Sequence, residues 1–224
     1  MRTRNIFILF TMLALHLSAC TDIEDGTTDI DSWPAINEYT LAHPCMLHTA
    51  ADLSYVASKL TVAPWSEGYD KLKNSGYSYA GYVPTPQEVL GRMDQGNWAS
   101  KFPEWWNNYT YFYKDAAAAY QLALRWKLEG DVACGQTAVK ILNAWAETCK
   151  GLVRVKSLAN DRTYDANGEI ADPNEYLISI NVHQMANAAE IMRTDETLFT
   201  KAQLSAFQTM MKNVFYPAAS DFLA

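Results

Sequence analysis

Aromatic and amide side chains crowd into one stretch near the middle of the chain. Residues 96–113 read GNWASKFPEWWNNYTYFY and include Trp105, Trp106, Asn108 and Tyr109. Aromatic ring faces stack on apolar ligand surfaces such as the faces of sugar rings, and an asparagine amide can donate to a hydroxyl or a carboxylate. The stretch has no helical or strand period and is broken by glycine and proline, so we expect an ordered loop that lines a saccharide cleft. The alternative is that these rings pack the loop against the core.

A second group of polar side chains lies on a predicted helix further along the chain. His183, Gln184 and Asn187 occupy positions i, i+1 and i+4, so His183 and Asn187 share a face of that helix. An imidazole can exchange a proton near neutral pH, which makes His183 a candidate catalytic residue. Cleft lining and plain packing are the alternatives. His43 and His48 flank a predicted helix start, where we expect capping or surface roles.

The charge balance argues against a nucleic-acid partner. The 224-residue chain has 25 acidic and 18 basic residues, and its Lys and Arg residues form no dense run. A protein that binds phosphate backbones by bulk charge needs a basic patch. With 49% hydrophobic residues, the chain is long enough for one ordinary domain with its own core.

The amino terminus resembles a bacterial lipoprotein signal. Two arginines precede a short apolar run that ends in LSAC, of which Cys20 is the last residue. A charged start, an apolar middle too short to span a bilayer and small residues at a cleavage site are typical of a removed signal peptide. The resemblance implies that residues 1–19 are removed and that Cys20 carries lipid, which anchors the protein to a membrane in the periplasm or at the cell surface. An ordinary secretory peptide is the alternative. Residues 20–42 are polar and acidic, and we expect a flexible tether.

From residue 43 onward, helix start and stop signals predict an all-α fold. Capping residues open most of the predicted helices, and Gly130 closes one of them. The link around Gly130 is so short that the helices on either side must form an antiparallel hairpin. We predict roughly seven helices, assembled from hairpins packed side by side, and no convincing strand pair. The predicted helices are residues 50–61, a shorter helix opened by Pro64, 85–93, 115–129, 131–149, 172–193 and 200–215, the last ending before Pro217.

The cysteine pattern indicates neither a disulfide framework nor a metal site. Cys45, Cys134 and Cys149 remain once Cys20 is assigned to lipid. Their number is odd, and no CxxC spacing appears among them. Cys134 and Cys149 lie at opposite ends of one predicted helix, beyond the reach of a disulfide. We expect small buried thiols and no bound metal.

Several stretches of the chain match a known family in wording, order and spacing. They are HPCMLHTAADL, NYTYFYKDAAAAYQLALRWKLEGD, AVKILNAWAETCK, HQMANAAEIMR and FQTMMKNVFYPAASDFL. Together they span nearly all of residues 43–224, which resemble the amino-terminal part of the alginate lyase superfamily of bacterial polysaccharide lyases. The resemblance implies an (α/α) toroid, cleavage of alginate or another acidic uronate polysaccharide by β-elimination, and no obligatory cofactor.

The resemblance also implies roles for individual residues. In this family the base and the acid are usually His and Tyr, while Asn, Gln or Arg holds the uronate carboxylate. The family carries an aromatic residue at the position of His183. The positions that match the family pattern are the stronger candidates for substrate binding: Asn108, Tyr109, Gln184 and Asn187.

The predicted helices fill only part of such a toroid. A complete ring uses about twice as many helices, so residues 43–224 are expected to form an incomplete toroid. We therefore expect a truncated copy that lacks key catalytic residues and is inactive alone. Two other classes stay open. One is a non-catalytic glycan-binding lipoprotein, and the other is a helical glycoside hydrolase, which needs two opposed carboxylates such as Asp115 and Glu190.

Overall fold

Helices dominate the part of the chain that the structure describes. The computed structural model describes residues 41–91, 108–152, 155–158, 161–164 and 176–223. The described residues from Ala42 onward belong to one compact unit. Its helices are α1 (Ala50–Ala57), α2 (Trp65–Lys73), α3 (Tyr109–Glu129), α4 (Val132–Thr148), α5 (Tyr176–Ser179), α6 (Val182–Met192), α7 (Lys201–Met210), a π-helical turn (Met211–Phe215) and α8 (Tyr216–Leu223). Its strands are β1 (Val89–Leu90), β2 (Gly151–Leu152), β3 (Val155–Leu158) and β4 (Asp161–Tyr164).

The helix ends follow the capping signals of the sequence. Thr49 opens α1 and Thr200 opens α7, each with a reciprocal capping box. Gly130 ends α3 with a φ of 77°, a left-handed conformation that glycine adopts without a steric cost. Asp131 then accepts a hydrogen bond from the backbone of Cys134 and opens α4. The predicted hairpin of α3 and α4 is therefore confirmed.

The core forms where this hairpin meets the next helices. α3 packs against α4 and α6, and α4 also packs against α7. Phe112 of α3 lies with its ring centroid 5.1 Å from that of Trp145 on α4 and 4.7 Å from that of Phe215 in the π-helical turn. All three rings are buried, so they join the α3–α4 hairpin to the π-helical turn, which lies more than 60 residues later in the chain.

A buried carboxylate fixes the segment that precedes β1. Asp115 is fully buried on α3 and accepts 2.7 Å hydrogen bonds from the indole of Trp145, the hydroxyl of Tyr82 and the backbone N–H of Thr85. Burial and the hydrogen bond to Asp115 raise the pKa of Tyr82, so the phenol stays protonated and donates. Thr85 is thereby held against α3.

The helix predicted for residues 85–93 is wrong in the described part of that range. Residues 85–88 are not helical, and Val89–Leu90 forms β1, which pairs in parallel with β2. The hydroxyl and the N–H of Thr85, which the sequence assigns to an N-cap, bond to Asp115 instead. The expectation of no strand pair is also wrong, because β3 pairs with β4 in antiparallel fashion.

Four predicted helix boundaries also differ from the structure. α1 ends at Ala57 instead of residue 61, and α3 begins at Tyr109, so residues 109–113 of the predicted loop are helical. In the described part of residues 172–193, a turn at Ile180 and Asn181 separates α5 from α6, and the imidazole of His183 bonds to the carbonyl of Ile180 there. At the carboxyl end the helix continues through Pro217 instead of ending before it. The π-helical turn places Pro217 in the first turn of α8, where its missing N–H costs little.

The expectation of buried thiols holds for two of the three cysteines. Cys134 and Cys149 are buried, and burial raises their thiol pKa values to about 12 and about 11. Cys45 is exposed, so the expectation is wrong there. The loop that carries Cys45 lies on the surface of α6.

Candidate functional site

The loop between the first described residues and α1 lies across two core helices. This amino-terminal loop, residues 43–49, is closed by an antiparallel bridge between Cys45 and Thr49. The N–H of Leu47 donates to Oδ1 of Asn187 on α6 at 3.2 Å. His48 bonds to the hydroxyl of Tyr120 on α3. Since α3 and α6 pack together, the loop joins them and carries two histidines with it.

A mixed cluster of side chains anchors the start of the loop. Oε1 of Glu190 lies 2.5 Å from Nδ1 of His43 and 3.3 Å from Sγ of Cys45, and Sγ lies 3.3 Å from Nδ1. The backbone N–H of Cys45 donates to the same oxygen at 2.9 Å. On the other oxygen, Oε2, Arg193 donates at 3.3 Å. The carboxylate of Glu190 is therefore surrounded by donors from the loop and from its own helix.

These contacts set the protonation of the cluster. Burial acts to raise the pKa of Glu190, but the hydrogen bonds from His43 and Cys45 outweigh it and hold that pKa below its ordinary value. Partial desolvation, with the hydrogen bond to Glu190 and its negative charge, raises the pKa of the Cys45 thiol. The cluster therefore holds a carboxylate beside a protonated thiol at neutral pH.

The second histidine of the loop faces a tyrosine. The rings of His48 and Tyr120 are stacked, with centroids 5.8 Å apart and an interplanar angle of 18°. Partial burial lowers the pKa of His48, although the nearby carboxylate of Asp52 opposes that shift. Burial raises the pKa of Tyr120. At neutral pH the pair is therefore a neutral imidazole in hydrogen-bond contact with a protonated phenol.

The structure gives the candidates on α6 mainly local partners. Asn187 is buried, and its Nδ2 donates to the carbonyl of His183 at 2.8 Å while its Oδ1 holds Leu47. His183 is exposed, and its Nδ1 donates to the carbonyl of Ile180 at 2.9 Å. Gln184 donates to Oδ1 of Asn181 at 3.3 Å. The substrate-binding and catalytic roles predicted for these residues stay predictions.

The candidates of the aromatic stretch are described only from Asn108 onward. Asn108 is buried, its Nδ2 donates to the carbonyl of Val89 at 2.9 Å, and its Oδ1 accepts from the N–H of Gly91 at 3.0 Å. Its amide thus fixes β1. Tyr109 meets Tyr113 edge to face, with centroids 5.2 Å apart. Trp105, Trp106 and the predicted lipidation site Cys20 lie outside the described residues.

The two carboxylates required by the hydrolase alternative have separate partners. Asp115 bonds to Tyr82, Thr85 and Trp145, and Glu190 bonds to the amino-terminal loop and Arg193. Each is buried and satisfied where it lies. This arrangement gives no support to an opposed pair of catalytic carboxylates.

A largely apolar cavity adjoins the amino-terminal loop. It has a volume of about 710 Å³ and is lined by residues of α6, α7, the π-helical turn and α8. Met46 of the loop and the charged side chains of Glu190 and Arg193 also line it. The Glu190 cluster therefore borders a space large enough for a small ligand.

Sequence reasoning missed the partners of both loop histidines. His43 and Glu190 are 147 residues apart, and His48 and Tyr120 are 72 residues apart, so no local motif joins them. One signal was available in the sequence. The His-Pro-Cys triplet stands just ahead of a capping box, which places two side chains suited to metal binding or proton transfer in one short turn.

The described residues define a mostly helical protein in which α6 and α7 pack against the antiparallel hairpin of α3 and α4. Comparisons with known protein families, curated proteins and solved structures find no significant match to this chain. Among the described helices, none combines the length and the apolar character needed to cross a bilayer.

Proposed function

We propose that this chain belongs to an (α/α) toroid polysaccharide lyase that cleaves alginate or another uronic-acid polysaccharide by β-elimination. The observation that carries the proposal is the contact between His48 and Tyr120. The resemblance of residues 43–224 to the alginate lyase superfamily agrees with it. Anchoring through lipid at Cys20, outside the cytoplasm, is part of the same proposal.

The packing of the hairpins supports the toroid. In a toroid of hairpins, each helix of one hairpin lies beside the matching helix of the next. α3 and α4 form one hairpin, α6 lies beside α3, and α7 lies beside α4. This side-by-side packing of helices is the relation that an (α/α) ring repeats, so we assign the described helices to one segment of such a ring.

The protonation states of His48 and Tyr120 suit β-elimination. The reaction needs a base that removes the C5 proton of the uronate and an acid that protonates the leaving oxygen. A neutral imidazole can accept a proton, and the raised pKa of Tyr120 keeps its phenol protonated, so the hydroxyl has a proton to give. We assign the base to His48 and the acid to Tyr120, and with this assignment we propose turnover by the chain itself, in place of the sequence-based expectation of a truncated copy that is inactive alone. Both side chains are half-buried, so each is partly shielded from water and is still accessible to a substrate.

The test is to supply uronate polymers to the full chain and follow the ultraviolet absorbance of the unsaturated product. Tyr120→Phe keeps the ring and removes the hydroxyl, and His48→Gln keeps a polar side chain without a titrating nitrogen. Each variant should lower kcat by about 10² to 10⁴ and leave polymer binding largely intact. Tyr79→Phe is the matched control, because Tyr79 is exposed and its loss of a hydroxyl should change nothing.

The outcomes separate the two leading functions. A second candidate, a non-catalytic glycan-binding lipoprotein, is favoured by the exposed ring of Tyr111 at the start of α3. A chain that binds polyuronate without forming unsaturated product supports that candidate. A chain that does neither contradicts both. Full activity in Tyr120→Phe would assign the His48–Tyr120 contact to packing.

A further inference from the structure

We infer that His43, Cys45 and Glu190 form a binding site for a zinc ion, with the fourth coordination position open to water. The three side chains offer a nitrogen, a sulfur and an oxygen whose atoms all lie within 4.8 Å of one another. Zinc accepts all three kinds of donor, and three protein ligands with one open position is a common arrangement for it. The inference does not depend on the proposed lyase activity.

The distances between the donor atoms fit a small rearrangement. In a tetrahedral zinc site with ordinary bond lengths, nitrogen and oxygen ligands lie about 3.3 Å apart, and sulfur lies about 3.5 Å from either. Sγ of Cys45 is already 3.3 Å from both Nδ1 of His43 and Oε1 of Glu190. Only the 2.5 Å separation of Nδ1 and Oε1 must lengthen. His43 lies on the loop and is partly exposed, so its imidazole has room to withdraw.

The charges of the three ligands offset those of the metal, and Arg193 adds one positive charge beside them. A thiolate and a carboxylate cancel the two positive charges of zinc, and the imidazole ligand is neutral. Binding releases the thiol proton of Cys45 to solvent, and Nδ1 of His43 exchanges its contact with Glu190 for the metal. Arg193 contacts Oε2, which leaves Oε1 for the metal. Cys45 is exposed, so an ion reaches the site from solvent.

A metal here would clamp the amino-terminal loop to α6. His43 and Cys45 come from the loop, whereas Glu190 comes from α6, 145 residues after Cys45. Coordination across such a separation constrains the loop more strongly than hydrogen bonds that exchange with water. The same loop carries His48 to Tyr120, so the clamp would also fix that contact.

The first test uses Co²⁺ as a spectroscopic substitute for zinc on the metal-free full chain. We expect one Co²⁺ per chain, thiolate-to-cobalt charge-transfer absorption in the near ultraviolet, and loss of that absorption when Zn²⁺ is added. Cys45→Ala should abolish the absorption, and Glu190→Gln should weaken Co²⁺ binding by at least about tenfold. Cys149→Ala is the matched control and should keep the full signal, because that thiol is buried elsewhere. Absence of the absorption in the unmodified chain, or its persistence in Cys45→Ala, overturns the inference.

A second measurement needs no variant. Alkylation of the unmodified chain is followed by mass spectrometry of the peptide that contains Cys45, with and without Zn²⁺. A coordinated thiolate is shielded, so we expect zinc to slow alkylation of Cys45 by at least about tenfold. An unchanged rate at Cys45 overturns the inference even if zinc binds elsewhere in the chain.

Discussion

Asp115 offers the sharpest test of how the fold is held together. Its carboxylate is fully buried and accepts hydrogen bonds from Tyr82, Thr85 and Trp145. Asp115→Ala removes every acceptor at once. The hydroxyls of Tyr82 and Thr85 can turn toward other partners, but the N–H groups of Trp145 and Thr85 cannot.

The magnitude follows from those two N–H groups. A buried donor left without an acceptor costs about 1–3 kcal/mol, so two of them cost about 2–6 kcal/mol. Removing the carboxylate also removes the cost of its own desolvation. The expected loss in the free energy of unfolding therefore lies in the lower half of that range, about 2–4 kcal/mol. Asp115→Asn should cost less than about 1.5 kcal/mol. Its amide oxygen can accept from the two N–H groups, and its amide nitrogen can donate to the two hydroxyl oxygens.

The assay is urea unfolding of the full chain, followed by circular dichroism and by tryptophan fluorescence. In thermal unfolding of the same chain, the loss expected in Asp115→Ala corresponds to a fall in Tm of about 4–16 °C for a domain of this size. Asp115→Asn is the matched control, because it keeps the size and shape of the side chain. Equal losses in the two variants, or a loss below about 1 kcal/mol in Asp115→Ala, would refute the reasoning.

The remaining predictions concern packing, pH and anchoring. Gly68 and Gly135 are each the fourth residue of a helix, but an added Cβ meets nothing within 4 Å at Gly68 and meets the Trp126 ring at 2.8 Å at Gly135. In urea unfolding, Gly68→Ala should therefore raise the free energy of unfolding by about 0.5–1 kcal/mol, and Gly135→Ala should lower it by about 1–3 kcal/mol. A change of the same sign in both variants would contradict this reasoning. His48 binds a proton more readily in the unfolded chain than in the folded chain, so the free energy of unfolding should fall as the pH drops below about 6.5. Urea midpoints measured across this pH range should fall less in His48→Gln than in the original chain. Cys20→Ala should abolish membrane partition and labelled-palmitate uptake, and an unlabelled original chain would refute the lipid anchor.

The parts of the fold that depend on neighbouring residues were predictable from the sequence. Thr49, Gly130, Asp131 and Thr200 act within one helical turn of their own positions, and the structure confirms each as a cap. The segment around Thr85 was not predictable in this way. Its capping pattern is sound locally, but a buried carboxylate 30 residues later competes for the same N–H and hydroxyl.

The candidate site was less predictable than the fold. Asn108 and Asn187 were predicted to bind substrate, which stays a prediction, and in the structure their amides bond to β1 and to the amino-terminal loop. An amide that fixes a backbone segment and an amide that binds a ligand have the same sequence signature. Only the partner atoms distinguish them, and those lie far away in the chain.

The amino-terminal loop links the two proposed sites. Cys45 contacts Glu190 and Leu47 contacts Asn187, so α6 sets the position of the loop before the chain reaches His48. A change at Glu190 should therefore disturb the contact between His48 and Tyr120 although it removes no acid–base group. The metal ligands His43 and Cys45 have their own contacts with Glu190, so Tyr120→Phe should change the affinity for Co²⁺ much less than Glu190→Gln does. If Glu190→Gln lowers lyase kcat while Tyr120→Phe spares metal binding, then the Glu190 cluster positions His48 through the loop. If both variants change kcat and metal binding equally, the loop has instead lost its folded conformation.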